Sequence, residues 1–125
     1  MGVLSETDLA ALIERHGLRY FVEFGVGKGE DIVFAADFPF EHLYSIEGSH
    51  KLAIEGAFRH SSNQRMSFIH GKGERGWRQV SFEIPADAPV LFLLDEAQAE
   101  NDRAAIAASR DMGRDIVLLR PAAEV

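Results

Sequence analysis

Phe21-Val22-Glu23-Phe24-Gly25-Val26-Gly27-Lys28-Gly29-Glu30-Asp31 is the stretch from which the fold can be read. A short apolar run, Tyr20 to Phe24, ends in three glycines on alternate positions, and an amphipathic, helix-compatible segment follows. A strand that turns through glycines into a helix lets a ligand approach bare backbone at a helix N-terminus, where N–H groups without intrahelical partners point outward. A Cβ there would fill the ligand's space or forbid the positive φ of a tight turn.

The spacing narrows the ligand. A dinucleotide fingerprint is G-x-G-x-x-G, and Glu30 stands where its third glycine would fall. A P-loop needs a glycine five residues before Gly-Lys and a Ser or Thr after it, but Val22 and Gly29 occupy those positions. The alternative without a ligand is a plain glycine-rich turn between strand and helix. A second run, His42-Leu43-Tyr44-Ser45-Ile46, reads as a strand ending in Glu47, Gly48 and Ser49. Glu47 lies twenty residues after Gly27, where an open α/β sheet puts the acid that accepts from a ribose diol. A carboxylate suits that task because its two oxygens can accept from both hydroxyls. Taken alone, Glu47 reads equally well as a strand-end acid favouring the next helix start.

Composition bounds the rest. With 125 residues, a single domain over 1–125 is expected. Hydrophobic content of 46% suits a soluble globular protein. No apolar stretch approaches the roughly 20 residues that span a bilayer, so no membrane association is expected. Met1-Gly2-Val3-Leu4-Ser5-Glu6 lacks the basic and apolar regions of a signal peptide. Without cysteine there is no disulfide framework and no thiolate zinc site, which makes a cytoplasmic setting the expectation. The net charge of −7 argues against nucleic acid as a partner.

Helix and strand alternate along the chain. Thr7 to His16 carries Leu9, Leu12 and Ile13 at helical spacing, with Ser5 or Thr7 able to cap it and Gly17 to end it. Strand one is Tyr20–Phe24, and a short helix follows over Glu30–Ala36. Strand two precedes a helix from about Ser49 to His60, and a polar turn leads to strand three, Met66–His70. Residues 71–89 show no clear period, being interrupted by glycines, Trp77 and prolines. Val90–Leu94 is apolar at every position and so belongs in the sheet centre. The last helix is expected over Ala99–Met112 and the fifth strand over Ile116–Leu119. Such alternation implies a mostly parallel sheet with helices on both faces.

Glu23, Gly25, Gly27 and Gly29 together resemble the first motif, E-x-G-x-G-x-G, of class I S-adenosylmethionine-dependent methyltransferases. The resemblance runs from Tyr20 to about Leu119. It implies an α/β Rossmann-like three-layer sandwich, a five-stranded sheet of order 3-2-1-4-5, and a ligand over the carboxyl ends of the strands. The implied cofactor is S-adenosyl-L-methionine, held by Glu23, Phe24, Gly25, Gly27, Lys28, Gly29, Glu47, Gly48, Gly71, Lys72 and Asp95. Methyltransferases often place an acid after strand three to meet the adenine amine. Here His70-Gly71-Lys72-Gly73 leaves that contact to backbone. Leu94-Asp95-Glu96-Ala97 resembles the L-D-A-H element of some small-molecule O-methyltransferases, with Ala97 in the histidine position. Asp95 is thereby the catalytic candidate. Arg120 and Pro121 stand where those relatives carry paired acids, and the two further strands of a full domain have no counterpart here. The resemblance thus speaks more strongly for cofactor binding than for methyl transfer.

Methyl transfer from a sulfonium requires alignment and, for some acceptors, a base. Asp95, Glu96, His70 and His50 are the groups near the expected pocket that could serve. Asp95 could equally cap a turn, Glu96 reads as a surface acid, and the two histidines look isolated. His42 and His60 read as loop or helix-end residues, and no H-x-x-x-H pair suggests a metal site. Trp77 either closes over a substrate or packs as core. Three functions remain open: a methyltransferase acting on a small molecule, a module that binds the cofactor or its product without transfer, and another Rossmann-like nucleotide-binding domain. Strand five, lacking the strands that would cover it, leaves an apolar edge, and a homodimer through that edge or the last helix is expected.

Overall fold

The computed structural model describes residues 2–25 and 29–121. Its centre is one parallel sheet of β1 (Tyr20–Phe24), β2 (His42–Glu47), β3 (Met66–His70), β4 (Val90–Asp95) and β5 (Ile116–Arg120), in the order β3-β2-β1-β4-β5. This is the Rossmann-like α/β order expected from the sequence. Every neighbouring pair is parallel and in simple register, Phe24 facing Ile46 and Glu23 facing Leu93 across the shared strand β1.

The period-two pattern sorts the side chains into two cores. Val22, Phe24, Phe92 and Leu94 point to the face covered by α4 (Glu74–Ser81) and α5 (Ala99–Ala107), where Trp77, Val80 and Ile106 meet them. Phe21, Leu91 and Leu93 point to the opposite face, covered by α1 (Leu9–His16) and α2 (Glu30–Ala35) through Leu9, Ile32 and Ala35. The same side holds α3 (His50–Arg59), whose Gly56 rests on Phe68. Val90 to Leu94 are buried throughout, as a strand flanked by β1 and β5 and covered on both faces must be.

Several boundaries differ from the sequence pattern, for identifiable reasons. The first helix begins two residues later than expected, because Asp8, not Ser5 or Thr7, caps it by accepting from the Ala11 amide at 3.1 Å. The last helix stops at Ala107, well before Met112. There the Ser109 hydroxyl turns back to the Ile106 carbonyl, and Arg110 swings away to pair with Asp115 at 2.9 Å and the Ala88 carbonyl at 2.7 Å. Residues 71–89 contain α4, which the sequence pattern left unassigned. Its glycines hid it, yet one of them is structural: a Cβ on Gly76 would sit 2.2 Å from Ile46 Cγ2, so only glycine lets this helix lie against the sheet. Trp77 is core, edge-on to Phe92 with ring centroids 5.5 Å apart and its indole N–H donating to Ser109 Oγ at 2.7 Å. Finally, β4 and β5 run one residue beyond their apolar stretches, so that Asp95 and Arg120 become register partners at the carboxyl edge.

Candidate functional site

The carboxyl ends of β1, β2, β4 and β5, with the loops after β2 and β3, surround an open pocket of about 700 Å³. Phe24, Gly25, Glu47, Gly48, Gly71, Lys72 and Asp95 all line it, and all were singled out by the sequence. Glu23 lies beneath, fully buried, and Gly29 caps α2 with φ +80° without lining the pocket. Gly27 and Lys28 lie outside the described residues. The wall also includes residues with no assigned role in the sequence: Ser49, Gln98, Asn101, Asp102 and Arg120.

Each polar side chain is placed by its element. Glu47, nearly buried at the end of β2, accepts the Ser49 amide at 2.7 Å, while the Ser49 hydroxyl caps α3 through Leu52 N at 3.3 Å. This chain of short bonds fixes the turn after β2 and the carboxylate within it. Gly71 is pinned by α4, since a Cβ there would meet Gly76 Cα at 2.7 Å. Asp102, on the first turn of α5, has its carboxyl raised above the ordinary range, chiefly by burial and further by Asp95, with Lys72 opposing.

Arg120 is the residue that the sequence misplaced. In the sequence it stood as a departure from the resemblance, at a place where paired acids were implied. Instead its side chain is only 21% exposed and folds back over the carboxyl ends of the sheet. Nη2 lies 3.1 Å from Glu23 Oε2 and 2.9 Å from Asp31 Oδ2, while Nη1 lies 3.0 Å from Asp95 Oδ1 and 2.7 Å from the Gly25 carbonyl. One guanidinium thus meets carboxylates from β1, α2 and β4. Gly25 itself has φ +93°, and a Cβ there would approach Asp95 Oδ2 to 2.7 Å.

Glu23 has an unusual proton affinity. Burial pushes its carboxyl up to about 8, with the Arg120 charge opposing and Asp31 adding to the rise. The hydroxyl of Ser45, its register partner on β2, also pulls the value down, although Glu23 Oε1 and Ser45 Oγ share no bond of good geometry and both lack a partner. Burial outweighs these opposing contributions, and the proton stays on Glu23 at neutral pH. With Glu23 neutral, the Arg120 guanidinium still pairs with the carboxyl groups of Asp31 and Asp95.

His50 and His70, isolated in the sequence, meet with ring centroids 4.9 Å apart, and His70 Nε2 lies 3.3 Å from the Gly48 carbonyl. His42 bonds Ser67 Oγ at 2.7 Å, and His60 stacks on Phe68 at 5.7 Å. Among the described residues, no three acid or histidine side chains converge as a metal site. Nor, among them, is any helix long and apolar enough to cross a membrane.

No family model matches the sequence, and no curated protein sequence matches it. Among solved structures, the chain is similar to an S-adenosylmethionine-dependent methyltransferase from Thiobacillus denitrificans in complex with S-adenosyl-L-homocysteine. The TM-score is 0.54 and the identity 19%, over 89% of this chain and 46% of that one. The likeness is one of fold. This chain spans less than half of that protein's length.

Proposed function

We propose that the chain binds S-adenosyl-L-methionine, or the S-adenosyl-L-homocysteine left after transfer, in the pocket over β1, β2 and β4. The observation that carries this reading is the lining: Glu47, Asp95 and Asp102 placed around the bare backbone of Gly25, Gly48, Gly71 and Gly73. Such a wall suits a ligand that brings ribose hydroxyls and positive charge, and it disfavours a pyrophosphate, which would meet Asp95 and Asp102. The residues present fit the cofactor. Glu47 would accept from the ribose, Gly71 and Lys72 would border the base, and Gly25 with Asp95 would meet the aminoacyl end. When bound, the cofactor supplies an activated methyl group for a nucleophile aligned with it.

The protein is then a methyltransferase-like cofactor binder whose acceptor is a small molecule, with a cytoplasmic setting, no nucleic acid partner, and assembly as a homodimer. A second reading, binding without transfer, draws support from Asp95. Its Oδ1 is held 3.0 Å from Arg120, so that oxygen is already engaged by a donor and not open to an acceptor's proton. Calorimetry with S-adenosyl-L-methionine, S-adenosyl-L-homocysteine and NAD tests the proposal, with both adenosyl ligands expected to bind more tightly. Glu47→Ala should weaken them by about 1–3 kcal/mol, the cost of leaving buried donors unpaired. NAD binding tighter than either would overturn the reading. Formation of S-adenosyl-L-homocysteine with a panel of small acceptors separates the enzyme from the silent module.

A further inference from the structure

We infer that Arg120 is the positioning residue of this pocket, holding the Asp95 carboxylate and the Gly25 carbonyl where a ligand meets them. The inference rests on the pocket being the ligand site.

The hydrogen-bond geometry supports it. All five N–H donors of Arg120 face acceptors: Nε and Nη2 on Asp31, Nη2 also on Glu23, and Nη1 on Asp95 and the Gly25 carbonyl. No donor remains for a ligand, so Arg120 acts through the groups it holds and not by direct contact. The planar fork can serve several acceptors at once, which an ammonium on a flexible stem cannot. The span is also telling. β5 is an edge strand, β4 lies between it and β1, and Arg120 reaches across β4 to the first residue after β1. Its partner Asp31 is itself fixed, its other oxygen accepting the Leu4 amide at 2.9 Å. Arg120 therefore ties the N-terminal turn, α2, β1, β4 and β5 to one point under the pocket.

What is presented upward follows from this. Asp95 is 41% exposed, lines the pocket and is fixed in direction by its bond to Nη1. Gly25 has its carbonyl turned to the same nitrogen, while its amide donates to the Ile46 carbonyl at 2.7 Å. Preorganisation of this kind lowers the cost of ordering groups on binding.

A double-mutant cycle tests the inference, with S-adenosyl-L-homocysteine as the calorimetric probe and Asp95→Asn, Arg120→Gln and their combination as variants. If Arg120 works through Asp95, Asp95→Asn should weaken binding about tenfold in the wild-type background and less than about twofold beside Arg120→Gln. Arg120→Lys, which keeps the charge but not the fork, should restore only part of the affinity. Additive losses, or Arg120→Gln binding within about twofold of wild type, would overturn the inference. Should Arg120→Gln fail to fold, Arg120→Gln/Asp31→Asn removes the stranded buried charge and takes its place in the cycle. Exchange of the Gly25 amide, followed by NMR without ligand, separates this inference from the functional one. If wild type binds no adenosyl ligand, the pocket assignment fails, and the exchange rate decides the role of Arg120. A rise of about tenfold in Arg120→Gln supports positioning of the turn, whereas an unchanged rate overturns it.

Discussion

Glu23→Gln changes a single proton site and should change how stability depends on pH. The Glu23 carboxyl holds its proton up to about 8 in the folded chain, against an ordinary value of 4.5. Between those values the folded state binds a proton that the unfolded state has released, so stability falls as pH rises through the window. The slope for one full proton is about 1.4 kcal/mol per pH unit, which puts the ceiling near 4 kcal/mol between pH 5 and 8. Glutamine is neutral at every pH and close to the shape of the protonated acid, and its amide can still accept from Arg120 and donate toward Ser45. Urea unfolding of both proteins at pH 5 and pH 8.5 isolates this contribution, because all other titrating groups are shared. The two should be nearly equal at pH 5, and the variant should be the more stable by a few kcal/mol at pH 8.5. A difference that does not change with pH would refute the claim that Glu23 is buried as a neutral acid.

Three further outcomes follow from specific contacts. Gly25→Ala places a Cβ 2.7 Å from Asp95 Oδ2 at φ +93°, and it should cost about 1–3 kcal/mol in urea unfolding, whereas wild-type stability would contradict the close approach. Arg110→Met leaves Asp115, buried and 2.9 Å from the lost guanidinium, without its counter-charge, and a loss of about 3–5 kcal/mol of unfolding free energy in urea titration is expected. The homodimer should show as twice the chain mass in light scattering across the micromolar range. Leu119→Lys, on the exposed part of β5, should then yield a monomer, and a stable wild-type monomer would defeat the proposal.

The parts of the fold legible in the sequence were those governed by local pattern. Tyr20–Phe24 was marked by an apolar run ending in glycines and Met66–His70 by the polar turn before it, and β1 and β3 span those same residues. The apolar run Val90–Leu94 announced a strand covered on both faces because no polar alternation was left for solvent. Half of the residues lining the pocket were legible too, since glycine turns and strand-end acids are spaced by the strand–helix repeat itself. The helix over Glu74–Ser81 was not, because Gly76 is there to admit Ile46, a residue some thirty positions earlier, and no local signal carries that requirement.

Arg120 shows where the remaining limit lies. Half of its role was available from parity: Ile116 and Leu118 pack on the face that holds Phe21, and a residue two further along must share that face with Glu23. The other half depends on β4 standing between β5 and β1 and on α2 bringing Asp31 to the same point, which are properties of the assembled sheet. Measured against the family pattern, position 120 looked like the loss of an acid. In three dimensions an arginine at this position makes sense locally. Three acids from β1, α2 and β4 already converge there, and a fourth would have nothing to balance it. An arginine at the end of β5 lets those acids crowd the glycine turn without unfolding it. It also ties the geometry of the pocket to an edge strand.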